Sequence, residues 1–243
     1  TGTPASYPTW AQRLKEIGFD AEQCTRGNSA APMVQNGLGF YVENLVAELG
    51  FLNSRQSIYN TDFNGYTSTK DKQYLTRKPC YHDPAFYDAV VPTLKANVLL
   101  NAADKPLLHN LRDELSIGRF INPMDYCFCP HTLRALREWL QTRYASLDDL
   151  NAEWETTFAS WDDVTPLTTY EIKAKEKAAL SDGKPENFAP WADHREFMEQ
   201  SWAQMLGKLR DAVHEVDPDT PVGIEGLQMP STWGGYDLWK DNM

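Results

Sequence analysis

At 243 residues, with 42% hydrophobic side chains, the chain is long enough to bury a sizeable core, and one domain is the natural expectation. Its 34 acidic residues outnumber 23 Lys and Arg for a net charge of −11, which argues against an electrostatic grip on nucleic acid or an anionic membrane surface and leaves neutral ligands open. The apolar runs are short and broken by charge, so none reads as a membrane span.

From Trp10 to Gly18 the pattern predicts a helix that places Trp10, Leu14 and Ile17 on one face and stops at the glycine. Phe19 to Cys24 reads as a strand, and Gly37 to Asn44, centred on Phe40, Tyr41 and Val42, as a second. Alternation of helix and strand points to a parallel sheet. The stretch from Asn53 to Pro79 is polar and without clear period, and is expected to be a long functional loop. Asp83 and Pro84 then supply a cap and a first-turn proline for a helix running toward Asn101, with Pro92 inside it.

The next strand, Pro106 to Glu114, ends on Arg112, Asp113 and Glu114. A short strand that stops at a carboxylate is how many barrel enzymes present a general acid at the mouth of the sheet, so Glu114 is the first candidate for chemistry; the competing role is a surface acid paired with Arg112. Alternation would put Asn110 and Arg112 on the face of Glu114. Helices follow from His131 to Tyr144, from Ser146 (a capping box) through Trp154, and from Lys173 to Ala179. After a break at Ser181 to Pro185, the longest amphipathic helix, Trp191 to Glu215, buries Phe197, Trp202, Met205, Leu206, Leu209 and Val213. Pro221 to Glu225 is a last short strand that again ends on a carboxylate. Glu225 is therefore a candidate substrate-binding acid, or a salt-bridged rim residue, with Glu43 a weaker parallel.

Four cysteines, Cys24, Cys80, Cys127 and Cys129, are too few for a disulfide scaffold. The spacing of Cys127 and Cys129 strains a mutual disulfide but suits a shared metal; packed free thiols, or a pairing of one of them with Cys80, are the alternatives. Among eight Trp, Trp139 and Trp202 fall on helical apolar stripes, while Trp10, Trp161, Trp191, Trp233 and Trp239 lie nearer to turns. Flat amphipathic rings of this kind suit stacking on sugars.

The run Asp125-Tyr126-Cys127-Phe128-Cys129-Pro130-His131-Thr132, the helix through Leu140, and Tyr144-Ala145-Ser146-Leu147-Asp148-Asp149-Leu150-Asn151-Ala152-Glu153-Trp154 closely resemble glycoside hydrolase family 42 β-galactosidases. A weaker likeness extends from about Trp10 to Trp239. The resemblance implies an α/β fold of (β/α)8 TIM-barrel type, here strands two to five, with a helical insertion after the fourth strand. Residues 1–243 would form part of the catalytic barrel, and 123–190 an inserted helical subdomain.

The resemblance further implies a retaining hydrolase of terminal β-linked sugars, with Glu114 as general acid/base and no cofactor required. Asp113 stands where the family has an asparagine that donates to the sugar 2-hydroxyl. An ionised Asp113 would accept from that hydroxyl instead, and its charge would raise the Glu114 pKa, which suits a general acid near neutrality. Asp113 and Glu225 would contact hydroxyls, and Trp233 or Tyr236 would stack on the ring. Many members hold a structural zinc with four cysteines; Cys80, Cys127 and Cys129 match three of them, Thr132 stands at the fourth, and His131 or His82 could complete the set. The expected partner is a carbohydrate substrate, with no nucleic acid or membrane, and the family's frequent trimers imply a homo-oligomer. No segment matches the strand that carries the family's nucleophile. A non-catalytic carbohydrate-binding protein on a degenerate half-barrel is the rival expectation.

Overall fold

The computed structural model describes residues 7–46, 57–76, 80–113, 125, 127–181, 183 and 185–225. Four strands form one sheet in the order β1 (Ala21–Thr25), β2 (Gly39–Glu43), β3 (His109–Asp113) and β4 (Val222–Glu225), every neighbouring pair parallel. Helices occupy the connections: α1 (Tyr7–Glu16) before β1, α2 (Ala31–Gln35) between β1 and β2, and α3 (Ser57–Thr69) and α4 (Pro84–Leu99) between β2 and β3. Four more, α5 (Pro130–Arg143), α6 (Leu147–Trp154), α7 (Thr169–Ser181) and α8 (Ala189–His214), separate β3 from β4. Sequential parallel strands joined by helical crossovers are the repeating unit of a (β/α)8 barrel.

The sequence dictates the two faces of this sheet. Cys24 on β1, Phe40 and Val42 on β2, and Leu111 on β3 are fully or almost fully buried and meet Phe197, Trp202, Leu206, Leu209 and Val213 of α8 in one apolar cluster. Cys24 and Val42 stand side by side in the β1–β2 register, so strand alternation sends Gln23, Tyr41 and Glu43 to the opposite, polar face. The same cluster takes in Leu136 and Leu140 of α5 and Leu150 and Trp154 of α6. Asp193 fixes this arrangement, because it accepts hydrogen bonds from Tyr144 Oη at 2.6 Å and Trp154 Nε1 at 2.8 Å.

Local signals set the helix ends. Gly18 adopts φ +97°, and the bonds from Gly18 N–H to the Lys15 carbonyl and from Phe19 N–H to the Leu14 carbonyl close α1 in a Schellman turn. Asp83 Oδ1 accepts the Ala85 amide at 3.0 Å at the start of α4, and Ser146 Oγ accepts the Asp149 amide at 3.1 Å at the start of α6. Replacing Asp83 by Ala is expected to cost about 1 kcal/mol, read as a lowered midpoint in urea unfolding.

Two expectations need correction. Trp10 and Ile17 do not face the core: they are 55% and 73% exposed, whereas Ala11 and Leu14 are buried. The helix ends at Glu16, so Ile17 has left its periodicity, and the small Ala11 permits the close approach of α1 to α2. The stretch read as a loop between Asn53 and Pro79 contains α3 and a 3-10 turn at Lys72–Leu75. Its amphipathic pattern is faint because the residues that tie it down are few. Tyr66 packs with Leu75, Cys127 and Phe128, while the hydroxyls of Thr67, Ser68 and Thr69 donate back to the Asn64 and Gly65 carbonyls one turn earlier.

A buried polar network joins the insertion to α8. Asp125 pairs with Arg195 and accepts from the Thr169 amide at 2.9 Å and the Thr169 hydroxyl at 2.6 Å. Trp191 Nε1 in turn donates to that hydroxyl at 3.0 Å. Beside Arg195, His194 is wholly buried against Phe128, and its ring nitrogens have no hydrogen-bond partner among the described residues.

Burial, aided by the charge of Lys72, pushes the His194 pKa down to about 3. Above about pH 6.5 His194 is neutral in both the folded and unfolded chain and contributes no pH dependence. Below that value the unfolded chain gains a proton that the folded chain refuses until about pH 3, so stability falls as pH falls across this window. Burial also lowers the pKa of His109, which acts in the same direction. Thermal unfolding between pH 7 and 4 should show a steeper acid decline in the parent than in a His194→Leu variant; equal slopes would rule His194 out as the cause.

Candidate functional site

The polar face of the sheet gathers its carboxylates at the carboxyl ends of the strands. Glu43 ends β2 and is buried; Asp113 and Glu225 end β3 and β4 and stand opposite each other in register. Asn110 Nδ2 donates to Glu225 at 2.7 Å, and Gln23 donates to Glu43. Asn44 turns the chain out of β2 with φ +58°, and its Oδ1 accepts the Asp113 amide at 3.1 Å. Leu45 and Val46 then continue the β2–β3 ladder through their amides to the Asn110 and Leu111 carbonyls.

These acids feel one another. Burial raises the Glu43 pKa, and the charges of Glu225 and Asp113 raise it further, against a lowering contribution from Arg112. Tyr41 is likewise raised, first by burial and then by Glu225, Glu43, Glu22 and Asp113. The result is an end of a sheet rich in acceptors, with Asn110 and Gln23 holding two carboxylates in place. Such an arrangement can take up the hydroxyls of a neutral, many-donor ligand.

Of the sequence candidates, Asp113, Glu225 and Glu43 come together here. Glu114, Trp233 and Tyr236 lie outside the described residues. Strict alternation along β3 does not hold: its pairing with β4 slips between Asn110 and Asp113, so three steps on β3 match two on β4. The slip carries Asp113, rather than Arg112, to the position beside Glu225. Sequence reasoning placed Asn110 on this face by alternation but missed its hold on Glu225, and it missed the positioning roles of Gln23 and Asn44. Asn44, an asparagine just after a strand where left-handed backbone is common, left a usable signal.

Away from these strand ends in sequence, Cys80, Cys127 and Cys129 converge with their sulfurs all within 4.8 Å of one another. Cys80 precedes α4, and Cys129 caps α5. Three backbone amides aim at these sulfurs, each at 3.4 Å: His82 to Cys80, Cys129 to Cys127, and Thr132 to Cys129. Amide donors favour the thiolate form. Within the cluster, the contacts with Cys127 and Cys80 and the amide and hydroxyl of Thr132 depress the Cys129 thiol well below its ordinary range, while its neighbours Cys129 and Cys80 hold Cys127 protonated. Three sulfurs this close are a donor set that would fit a zinc ion at three corners, which would take them as thiolates. Cys24, by contrast, is a packed thiol that burial raises to about 11.

The profile of glycoside hydrolase family 42, described as beta-galactosidase, matches residues 117–243, just over half of the chain. The chain belongs to glycoside hydrolase family 42. Among this family's curated β-galactosidases, BgaB of Geobacillus kaustophilus is 30% identical over 101 residues, which cover 40% of this chain and 13% of that protein. LacA of Lactobacillus acidophilus is 23% identical over 155 residues, 58% of this chain and 22% of its own length. The family 42 chain thus aligns with less than a quarter of either relative.

Solved structures agree on the fold. The β-galactosidase of the Antarctic haloarchaeon Halorubrum lacusprofundi superposes with a TM-score of 0.64 at 13% identity, covering 99% of this chain and 37% of that one. The cold-adapted β-galactosidase of Rahnella sp. R3 gives 0.59 at 15% identity, over 90% of this chain and 33% of its counterpart. Among its described residues, this family 42 chain therefore presents four strands of a (β/α)8 barrel, with a helical insertion between the third and fourth of them. Among the described residues, no helix is long and apolar enough to cross a membrane.

Proposed function

We propose that this chain carries the acid/base half of a retaining β-galactosidase site, with Glu114 as the proton donor and acceptor. The observation that carries the reading is the convergence of Glu43, Asp113 and Glu225 at the carboxyl ends of parallel strands in a chain of this family, next to Glu114 in sequence. In the first step Glu114 gives its proton to the glycosidic oxygen while a second carboxylate, about 5 Å away in retaining enzymes, attacks the anomeric carbon and the leaving group departs as an alcohol. In the second step Glu114 takes a proton from water, whose oxygen attacks the same carbon and releases the carboxylate.

Asp113 and Glu225 accept hydrogen bonds from sugar hydroxyls, and Asn110 keeps Glu225 aimed at them. Trp233 and Tyr236 offer the stacking surface. Cys80, Cys127 and Cys129 would hold a zinc ion in a structural role, tying the segment before α4 to the start of α5 and supplying no step of the hydrolysis.

The test is turnover of a panel of aryl β-glycosides by the folded chain, with the first-formed anomer of the product followed by proton NMR. Hydrolysis of the β-galactoside with the β-anomer appearing first is the result expected of a retaining site whose second carboxylate the chain also supplies. Release of the α-anomer would overturn retention. A folded chain that binds galactose without hydrolysing any glycoside would favour a carbohydrate-binding role for this face.

A further inference from the structure

The three thiols leave one corner of a tetrahedral zinc site to be filled; Thr132 stands beside it and His82 behind Thr132. Thr132 Oγ1 lies 3.2 Å from Cys80 Sγ and 3.3 Å from Cys129 Sγ, so the hydroxyl sits where a fourth ligand would. His82 Nδ1 lies 3.0 Å beyond, against the same hydroxyl. We infer that His82, through Nδ1, is the fourth zinc ligand, and that Thr132 yields the corner to it. This inference rests on the zinc reading above.

The chemistry favours the imidazole. Zinc takes its protein ligands from thiolate, imidazole and carboxylate, and a neutral alcohol is a poor fourth donor. The two arms also match: Cys80 and His82 are separated by one residue, as are Cys127 and Cys129, and in each pair the second residue's amide donates to the first residue's sulfur at 3.4 Å. His82 thus occupies on the first arm the position that Cys129 occupies on the second.

Its ring is held flat on Phe197, centroids 5.3 Å apart at 14°, which guides the plane in which Nδ1 advances. A cleft of about 310 Å³, bounded by Tyr81, Tyr87, Met205 and Lys208 as well as His82, opens beside it. A further imidazole beside the cluster in sequence is turned elsewhere: His131 faces Asp83 through Nε2 at 3.6 Å and Arg134 through Nδ1 at 3.4 Å.

The experiment loads the whole chain with zinc, removes the excess, counts metal per chain and records the zinc-edge X-ray absorption fine structure. One zinc per chain is expected, with three sulfurs at about 2.3 Å, one nitrogen at about 2.0 to 2.1 Å, and the outer-shell scattering of an imidazole ring. His82→Ala should lose the ring scattering and weaken zinc against a competing chelator by more than about tenfold, while Thr132→Ala should keep both the ring signature and the affinity. Three sulfurs with an oxygen and no ring scattering in the parent would overturn the assignment, as would Thr132→Ala weakening zinc as much as His82→Ala. A parent chain that binds no zinc would overturn the zinc reading itself. The parent spectrum decides the ligand even where a variant fails to fold.

Discussion

Glu114→Gln should lower turnover of an aryl β-galactoside with a poor leaving group by about 10³-fold, within the range general acid–base catalysis supplies. Glutamine keeps the size and polarity of the side chain and loses only the exchangeable proton, so the folded state should be unaffected. The argument predicts a pattern as well as a loss. A leaving group of low pKa departs without protonation, so with a dinitrophenyl galactoside the first step survives and the glycosyl-enzyme accumulates, because water lacks a general base to activate it.

Azide, which needs no base, should restore turnover and appear in the product as the β-galactosyl azide. Turnover of the poor substrate at the parent's rate would remove Glu114 from the acid/base role and move attention to Glu225, a strand-terminal carboxylate held by Asn110.

Arg195→Met should destabilise the fold by about 3 to 5 kcal/mol, the usual consequence of leaving one member of a buried ion pair alone. Arg195 is 6% exposed and Asp125 2% exposed, so solvent cannot compensate for a lost partner. Burial brings the guanidinium pKa down to about 9, which still leaves it charged at neutral pH. Asp125 would keep its two bonds from Thr169 but hold an uncompensated charge. For a chain of this length the loss corresponds to a fall of roughly 10 °C in the melting midpoint.

The double variant Arg195→Met, Asp125→Leu should recover most of that loss, since it removes both charges together. If the single and double variants melt alike, the cost lies in packing around Arg195 and its stacking near Trp191, centred 5.8 Å away, and the charge pair is not the cause.

The elements legible in the sequence were those whose signals are local and redundant. Asp83 with Pro84, Ser146 with Asp149, and Gly18 each announce a helix end by chemistry that acts within four residues, and all three act as expected. The strands were equally plain, because Phe40, Val42 and Leu111 alternate against a polar face. α3 was hidden because its anchor, Tyr66, gains its burial from Leu75 and Phe128, and no pattern inside 57–69 records those contacts.

The site divides in the same way. Asp113 and Glu225 were found because a carboxylate at a strand end is visible in one dimension. The positioning roles of Gln23, Asn44 and Asn110 were missed because each acts on a residue of another strand. The thiol cluster lay between: the Cys127 and Cys129 pair could be read directly, whereas the approach of Cys80 and His82 depends on where α4 begins relative to α5.

The one-residue slip in β3 works as a phase change along the strand. Below it, His109 and Leu111 answer to the helix layer, His109 through Asp217 at 2.8 Å and Leu111 through the apolar cluster. Above it, Asp113 answers to the mouth of the sheet. The core and the mouth therefore keep separate time on one strand, and deleting Arg112 would restore the simple beat with Asp113 still opposite Glu225.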